Sequence, residues 1–124
     1  MEKPIEWVGS SKEDLKDFPD EVMRTMGYSL HVAQNGGKSD NAKPLSKAVK
    51  GGGIYEVCDD YQGDTYRAVY TIKFEKAIYI IHAFKKKSKK GKSTPKPDMD
   101  LIAARYKRAE EHYKENYCNK RTKH

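Results

Sequence analysis

The sequence offers little from which to build a metal centre, a disulfide framework or a membrane span. Its 124 residues hold two cysteines, Cys58 and Cys118, and four histidines, His31, His82, His112 and His124, with no grouping at zinc-ligand spacing. One thiol falls in an expected strand and the other in a polar tail, so both are read as free thiols of a reducing compartment. No apolar stretch approaches the roughly 20 residues that cross a bilayer. The start, Met1-Glu2-Lys3-Pro4, lacks the apolar core of an export signal, and the expected location is the cytoplasm. Gly51-Gly52-Gly53 is not followed by the lysine and hydroxyl of a phosphate loop, which argues against nucleotide hydrolysis. No serine has the setting of a nucleophile elbow, so acyl transfer has no support. No metal or cofactor is expected.

What the chain does have is positive charge, unevenly placed. The net charge is +7, yet the first thirty residues carry seven acids against four bases, whereas 85–96 carries seven lysines and no acid. Phosphate-bearing partners are favoured. A lysine run alone reads equally as a solvated loop; here it leaves an apolar strand, Ile80-Ile81-His82-Ala83-Phe84, that follows a strand carrying an arginine, Tyr66-Arg67-Ala68-Val69-Tyr70.

One compact domain is expected over 1–116, with a polar tail over 117–124. Ile5–Val8 suits a short first strand. Ser10-Ser11-Lys12-Glu13 offers the pattern of a capping box, and Pro19 suits the first turn of a second helix in which Val22, Met23, Met26, Leu30 and Ala33 recur at helical spacing, ending at Gly36-Gly37. Residues 38–53 read as a polar loop. Three strands in close order follow, 54–58, 65–74 and 77–84, and their short connections make an antiparallel meander.

Strict alternation places Tyr66, Ala68, Tyr70, Ile72 and Phe74 on one face of the second of these strands, with Arg67 and Val69 on the other, more polar and at least partly solvent-facing side. It places His82 and Phe84 on the face of Ile78 and Ile80. Thr94-Pro95-Lys96-Pro97-Asp98 leads into a last helix with Asp98 as its expected N-cap and a stripe of Met99, Ile102, Ala103, Tyr106, Ala109 and Tyr113. The fold class is α+β: a small antiparallel sheet packed by an N-terminal helical hairpin and a C-terminal helix.

Tyr55-Glu56-Val57, Tyr66-Arg67-Ala68-Val69-Tyr70, His82-Ala83-Phe84-Lys85-Lys86-Lys87 and Thr94-Pro95 occur in an order and separation that resemble the phage-derived, HigB-like branch of the RelE/ParE toxin superfamily, over about 4–116. The resemblance implies a RelE-like sheet with helices against one face. It also implies metal-independent cleavage of messenger RNA, usually on the ribosome, and neutralisation by a cognate antitoxin, HigA-like and bearing a helix-turn-helix. In that chemistry a ribose hydroxyl attacks the adjacent phosphate, which calls for a base, an acid and a stabiliser of negative charge. Arg67 is the expected phosphate ligand, since its planar fork matches phosphate oxygens. His82 or Glu56 serves as base or acid, and Lys86, counted with the catalytic residues, adds positive field. Lys47, Lys50, Lys85, Lys87, Lys89 and Lys90 are the expected grip on the RNA backbone. Cys58 stands two positions after Glu56, where many relatives have a basic residue. The alternative is a non-cleaving protein, either a ParE-like gyrase inhibitor or an RNA-binding module that relies on charge alone.

Overall fold

The structure, a computed structural model, describes residues 2–45, 48–86 and 94–118. The described chain runs β1 (Ile5–Trp7), α1 (Ser11–Lys16), α2 (Asp20–Gln34), β2 (Ala42–Pro44), β3 (Ile54–Tyr61), β4 (Asp64–Thr71), β5 (Ile78–Lys86) and α3 (Lys96–Tyr113), with a wider π-type turn, Lys114–Cys118, continuing α3. One sheet in the order β1-β5-β4-β3-β2 and three helices make an α+β fold. Its core is the expected antiparallel meander, β3 to β5; β1 is the exception, lying parallel to β5. Gln62 and Gly63 both have positive φ, 51° and 87°, the two-residue turn whose twist suits an antiparallel pair.

Several local expectations are corrected. The stretch expected as loop, 38–53, contains the edge strand β2, paired to β3. The capping box does not form, because Ser10 Oγ donates to the Asp14 carboxylate at 2.7 Å instead of to a backbone N–H. Pro19 is the N-cap of α2 and not part of its first turn. Pro95, not Asp98, caps α3, which frees the Asp98 carboxylate in the first turn for another partner. Beyond Thr71 the chain leaves the sheet, so Ile72 is exposed and Phe74 turns to the α3 side, away from the Tyr66 face.

The helices do not share one face. Leu15, Phe18, Val22, Met26 and Leu30 of the α1–α2 hairpin region pack on Val57, Tyr66, Ala68, Tyr70, Ile78 and Ile80, whereas Ile102, Tyr106, Ala109 and Tyr113 of α3 pack on Ile54, Val69, Tyr79 and Ile81. The reason lies in β4 and β5, which are apolar on both sides over most of their length; a bare face would leave Val69, Tyr79 and Ile81 in water, and burying a large apolar side chain stabilises by about 1.5–3 kcal/mol.

The β4–β5 ladder carries one irregularity. Tyr70 faces Ile80 and Val69 faces His82, so Ile81 is an extra residue in β5. A bulge of this kind shifts the alternation by one, so that every residue after it changes face. His82 and Phe84 therefore lie on the face of Val69 and Arg67, under α3, and not on the face of Ile78 and Ile80 where strict alternation puts them. The Ile81 carbonyl accepts a hydrogen bond from Arg105 Nη1 of α3 at 3.0 Å, while Arg105 Nη2 donates to Ser10 Oγ at 3.3 Å. Room for this guanidinium depends on Gly9, at φ 57°: a Cβ there would stand 2.8 Å from Arg105 Nε.

Candidate functional site

The bulge and the strand register together bring three of the expected catalytic residues onto one patch. Across the strands, Glu56 of β3, Val69 of β4 and His82 of β5 form one row, and Cys58, Arg67 and Phe84 form the next. Neighbouring strands lie about 4.8 Å apart, so Glu56 and His82 flank Val69 with backbones roughly 10 Å from each other, and Arg67 stands one diagonal step away.

Their partners come from the segment that begins α3. Arg67 Nη1 lies 3.3 Å from Glu56 Oε2. Thr94 Oγ1 donates to the same carboxylate oxygen at 2.8 Å and accepts from Arg67 Nη1 at 3.3 Å. His82 Nε2 meets Asp98 Oδ1 at 2.8 Å, and its ring stacks on Phe84 with centroids 4.7 Å apart. The two guanidinium contacts are longer than the about 2.7–2.9 Å of tight charge-assisted bonds.

All three groups are covered. Arg67 is 4% exposed, Glu56 7% and His82 6%. The sequence reading placed Arg67 on a partly solvent-facing side; the polar side of β4 is instead the side that α3 roofs. The consequence is energetic as well as spatial, since removing one member of a buried pair strands the other charge.

The lysines divide. Lys86, half-buried, lies opposite Thr65 on the Arg67 face, next along from Phe84. Lys85 is opposite Tyr66, on the α1–α2 face, and its ammonium lies 3.6 Å from Asp64. Lys50 is exposed just ahead of the glycines that lead into β3, at the far end of the strands: the Ile54–Thr71 row is four residues, or roughly 13 Å, from the Cys58–Arg67 row. Lys47, Lys87, Lys89 and Lys90 lie outside the described residues. Cys58 borders Arg67, but burial, and then the Glu56 charge, push its thiol up from the ordinary range, so it does not replace a basic residue with a thiolate at neutral pH.

Thr94 and Asp98 are the site residues that sequence reasoning missed. Thr94 drew notice only as part of a Thr-Pro pair and Asp98 only as a cap; nothing in their spacing announces that they reach Glu56 and His82, 38 and 16 residues away. Among the described residues, no group of three or more His, Cys, Asp or Glu side chains is placed to hold a metal ion. Nor is any described helix long and apolar enough to cross a membrane.

Compared with known proteins, the family described as Phage derived protein Gp49-like (DUF891) matches residues 13–107, which include Glu56, Arg67, His82, Thr94 and Asp98. No curated protein matches the chain. Among solved structures, the RelBE2 toxin-antitoxin complex from Mycobacterium tuberculosis is similar at 16% sequence identity and a TM-score of 0.45, over 71% of this chain and 95% of that one. That likeness is too loose to assign a function.

Proposed function

This chain belongs to the Gp49-like family of phage-derived proteins, and from that premise we propose that it is the toxin of a type II toxin-antitoxin pair, a metal-independent ribonuclease that cuts messenger RNA through the ribose 2′-hydroxyl. The observation that carries this reading is the patch of Glu56, Arg67 and His82 on three adjacent strands. Cleavage by the neighbouring hydroxyl needs one proton removed, one delivered and a doubly charged phosphorane stabilised. A carboxylate and an imidazole that flank Val69, with a guanidinium one diagonal step away on the same face, supply groups of those three kinds, and half-buried Lys86 adds positive field on that face.

The order of motifs adds support through its resemblance to HigB-like toxins. On this reading the protein acts in the cytoplasm, on messenger RNA at the ribosome, and is silenced by a HigA-like antitoxin with a helix-turn-helix. The lysine-rich stretch 85–96 draws the RNA in, and an acidic antitoxin segment competes for the same field.

The test is inducible expression of the whole chain in bacteria. Growth should stop, and mapping of message 5′ ends should show new breaks within minutes, which the purified protein reproduces on free or ribosome-bound message. Growth arrest with intact message and inhibited DNA supercoiling would mark a gyrase poison instead. Normal growth at confirmed soluble expression counts against a toxin of any kind.

A further inference from the structure

Both His82 and Glu56 were open candidates for the base, and their surroundings are not equivalent. Glu56 Oε2 already accepts from Arg67 and Thr94. His82 is held from one side only: Nε2 meets the Asp98 carboxylate at 2.8 Å, while Nδ1 is buried and has no hydrogen-bond partner among the described residues. A carboxylate can only accept, so Nε2 carries the hydrogen. In the neutral ring Nδ1 is then the nitrogen with the lone pair, a proton acceptor.

We infer that Asp98 is a positioning residue that fixes His82 as the Nε2–H tautomer and turns Nδ1 into the general base, an assignment that rests on the ribonuclease reading. Three features hold the imidazole in that state. The β5 bulge places it on the Arg67 face. Phe84 lies flat against the ring, with an interplanar angle of 18°, and prevents it from swinging out of plane. Asp98 sits in the first turn of an 18-residue helix, so its carboxylate is carried on a rigid element and not on a loop. A buried nitrogen without a partner is costly to maintain for packing alone, because a carbon in its place would leave nothing unsatisfied.

The 2′-oxygen bonds to phosphorus and its proton passes to His82 Nδ1; the bond from phosphorus to the 5′-oxygen breaks, and that oxygen takes a proton from water. The hydroxide so formed is discharged by the proton from Nδ1. The products are a 2′,3′-cyclic phosphate and a 5′-hydroxyl, and the imidazole returns to its starting tautomer. Nδ1 and Arg67 are both covered in the free protein, so the step needs an access for RNA that leaves the His82–Asp98 contact in place.

The experiment compares the parent with Asp98→Asn, Asp98→Glu and Arg67→Lys, using a short single-stranded RNA and 15N NMR of the histidine rings, with the His82 signal assigned through His82→Gln. In the parent the neutral His82 ring should show hydrogen on Nε2 and a lone pair on Nδ1. Asp98→Asn keeps the shape but offers an amide that can donate to Nε2, which flips the tautomer and should lower the cleavage rate on the order of 10²-fold or more at unchanged RNA affinity. Asp98→Glu should restore part of that loss, an outcome a merely structural role would not give. Should the parent cut RNA, Arg67→Lys cut it poorly and Asp98→Asn cut at the parent rate, the inference about Asp98 is overturned while the ribonuclease reading stands. Hydrogen on Nδ1 in the parent overturns the inference as well. A folded parent that leaves both the free RNA and message on added ribosomes intact overturns both.

Discussion

The face of the sheet under α3 has two halves that solve the same packing problem with opposite materials. Towards the C-terminal end of the helix, Phe74 stacks on Tyr113 and Tyr106 with centroids 4.8 and 5.8 Å apart and meets Tyr79 edge-on at 5.4 Å. The Tyr113 hydroxyl accepts from the Lys76 backbone N–H at 3.0 Å, so the aromatic half buries rings and satisfies their polar ends. Towards the N-terminal end, the same helix and its lead-in cover a guanidinium, a carboxylate and an imidazole, and His82 Nδ1 has no hydrogen-bond partner among the described residues. Rings of this kind add about 0.5–1.5 kcal/mol per pair beyond area burial, whereas a buried ion pair seldom gains over apolar residues of the same shape. Stability is concentrated in the first half. The second half buries charged groups where packing alone would accept apolar ones, as the proposed site requires.

The comparison breaks most directly at Arg67. Arg67→Ala leaves Glu56 buried and without its cation, and should cost about 3–5 kcal/mol in urea unfolding as well as all RNA cleavage. Stability and activity fall together there, so the informative partner is the double replacement Arg67→Met with Glu56→Leu. It should recover most of the stability by filling the space with apolar atoms and recover no cleavage. A double variant that still cuts RNA would reduce the charged half to a pin for α3. The mirror experiment is Phe74→Ala, expected to cost about 3 kcal/mol through the cavity it opens, while the folded fraction at low temperature cuts RNA at the parent rate.

The contrast between the halves was only partly legible in the sequence. The helical stripe of Ile102, Tyr106, Ala109 and Tyr113 and the meander of β3 to β5 follow from periodicity and short connections, and both stand in the structure. The juxtaposition of Arg67 with His82 does not follow, because period-two counting has no means of seeing the extra residue at Ile81. That bulge is held by Arg105, 24 residues on, which satisfies the carbonyl the ladder cannot. The burial of Arg67 was equally hidden: alternation tells which side of β4 is polar, and only tertiary packing tells that a helix covers it. Phe74 illustrates the same limit, since its face changed when β4 ended at Thr71. Local pattern identifies elements, and the site arises where elements meet.

Arg105 offers a finer test of that dependence. It touches none of the three site side chains, yet Arg105→Ala removes the donor that holds the Ile81 carbonyl, and burial lowers this guanidinium's affinity for its proton without removing the charge at neutral pH. Unfolding free energy should drop by about 1–2 kcal/mol, the loss of a hydrogen bond from a charged donor. Cleavage should slow on the order of tenfold as His82 loses its fixed register with Val69. Parent-level cleavage in a variant with a loosened bulge would separate the register from the chemistry.

The smallest effect lies in the aromatic half and appears only in alkali. The Tyr117 hydroxyl donates to the Glu6 carboxylate, and that hydrogen bond, followed by burial, pushes it from its ordinary 10 to about 12; burial first, and then Tyr55, push Tyr70, on the opposite face, to about the same value. Each group holds its proton more tightly folded than unfolded. Their contribution to stability is therefore complete below pH 10 and is lost as pH rises through about 12. The urea midpoint should stay flat up to about pH 10 as far as these tyrosines are concerned and then decline. Tyr117→Phe keeps the ring that stacks on Tyr113 at 5.1 Å but removes the hydroxyl, so it should lower neutral-pH stability by about 0.5–1 kcal/mol and make the alkaline decline shallower, leaving the share of Tyr70. An unchanged alkaline slope in that variant would mean that the Tyr117–Glu6 bond does not persist in solution, and that the aromatic half is held by ring packing alone.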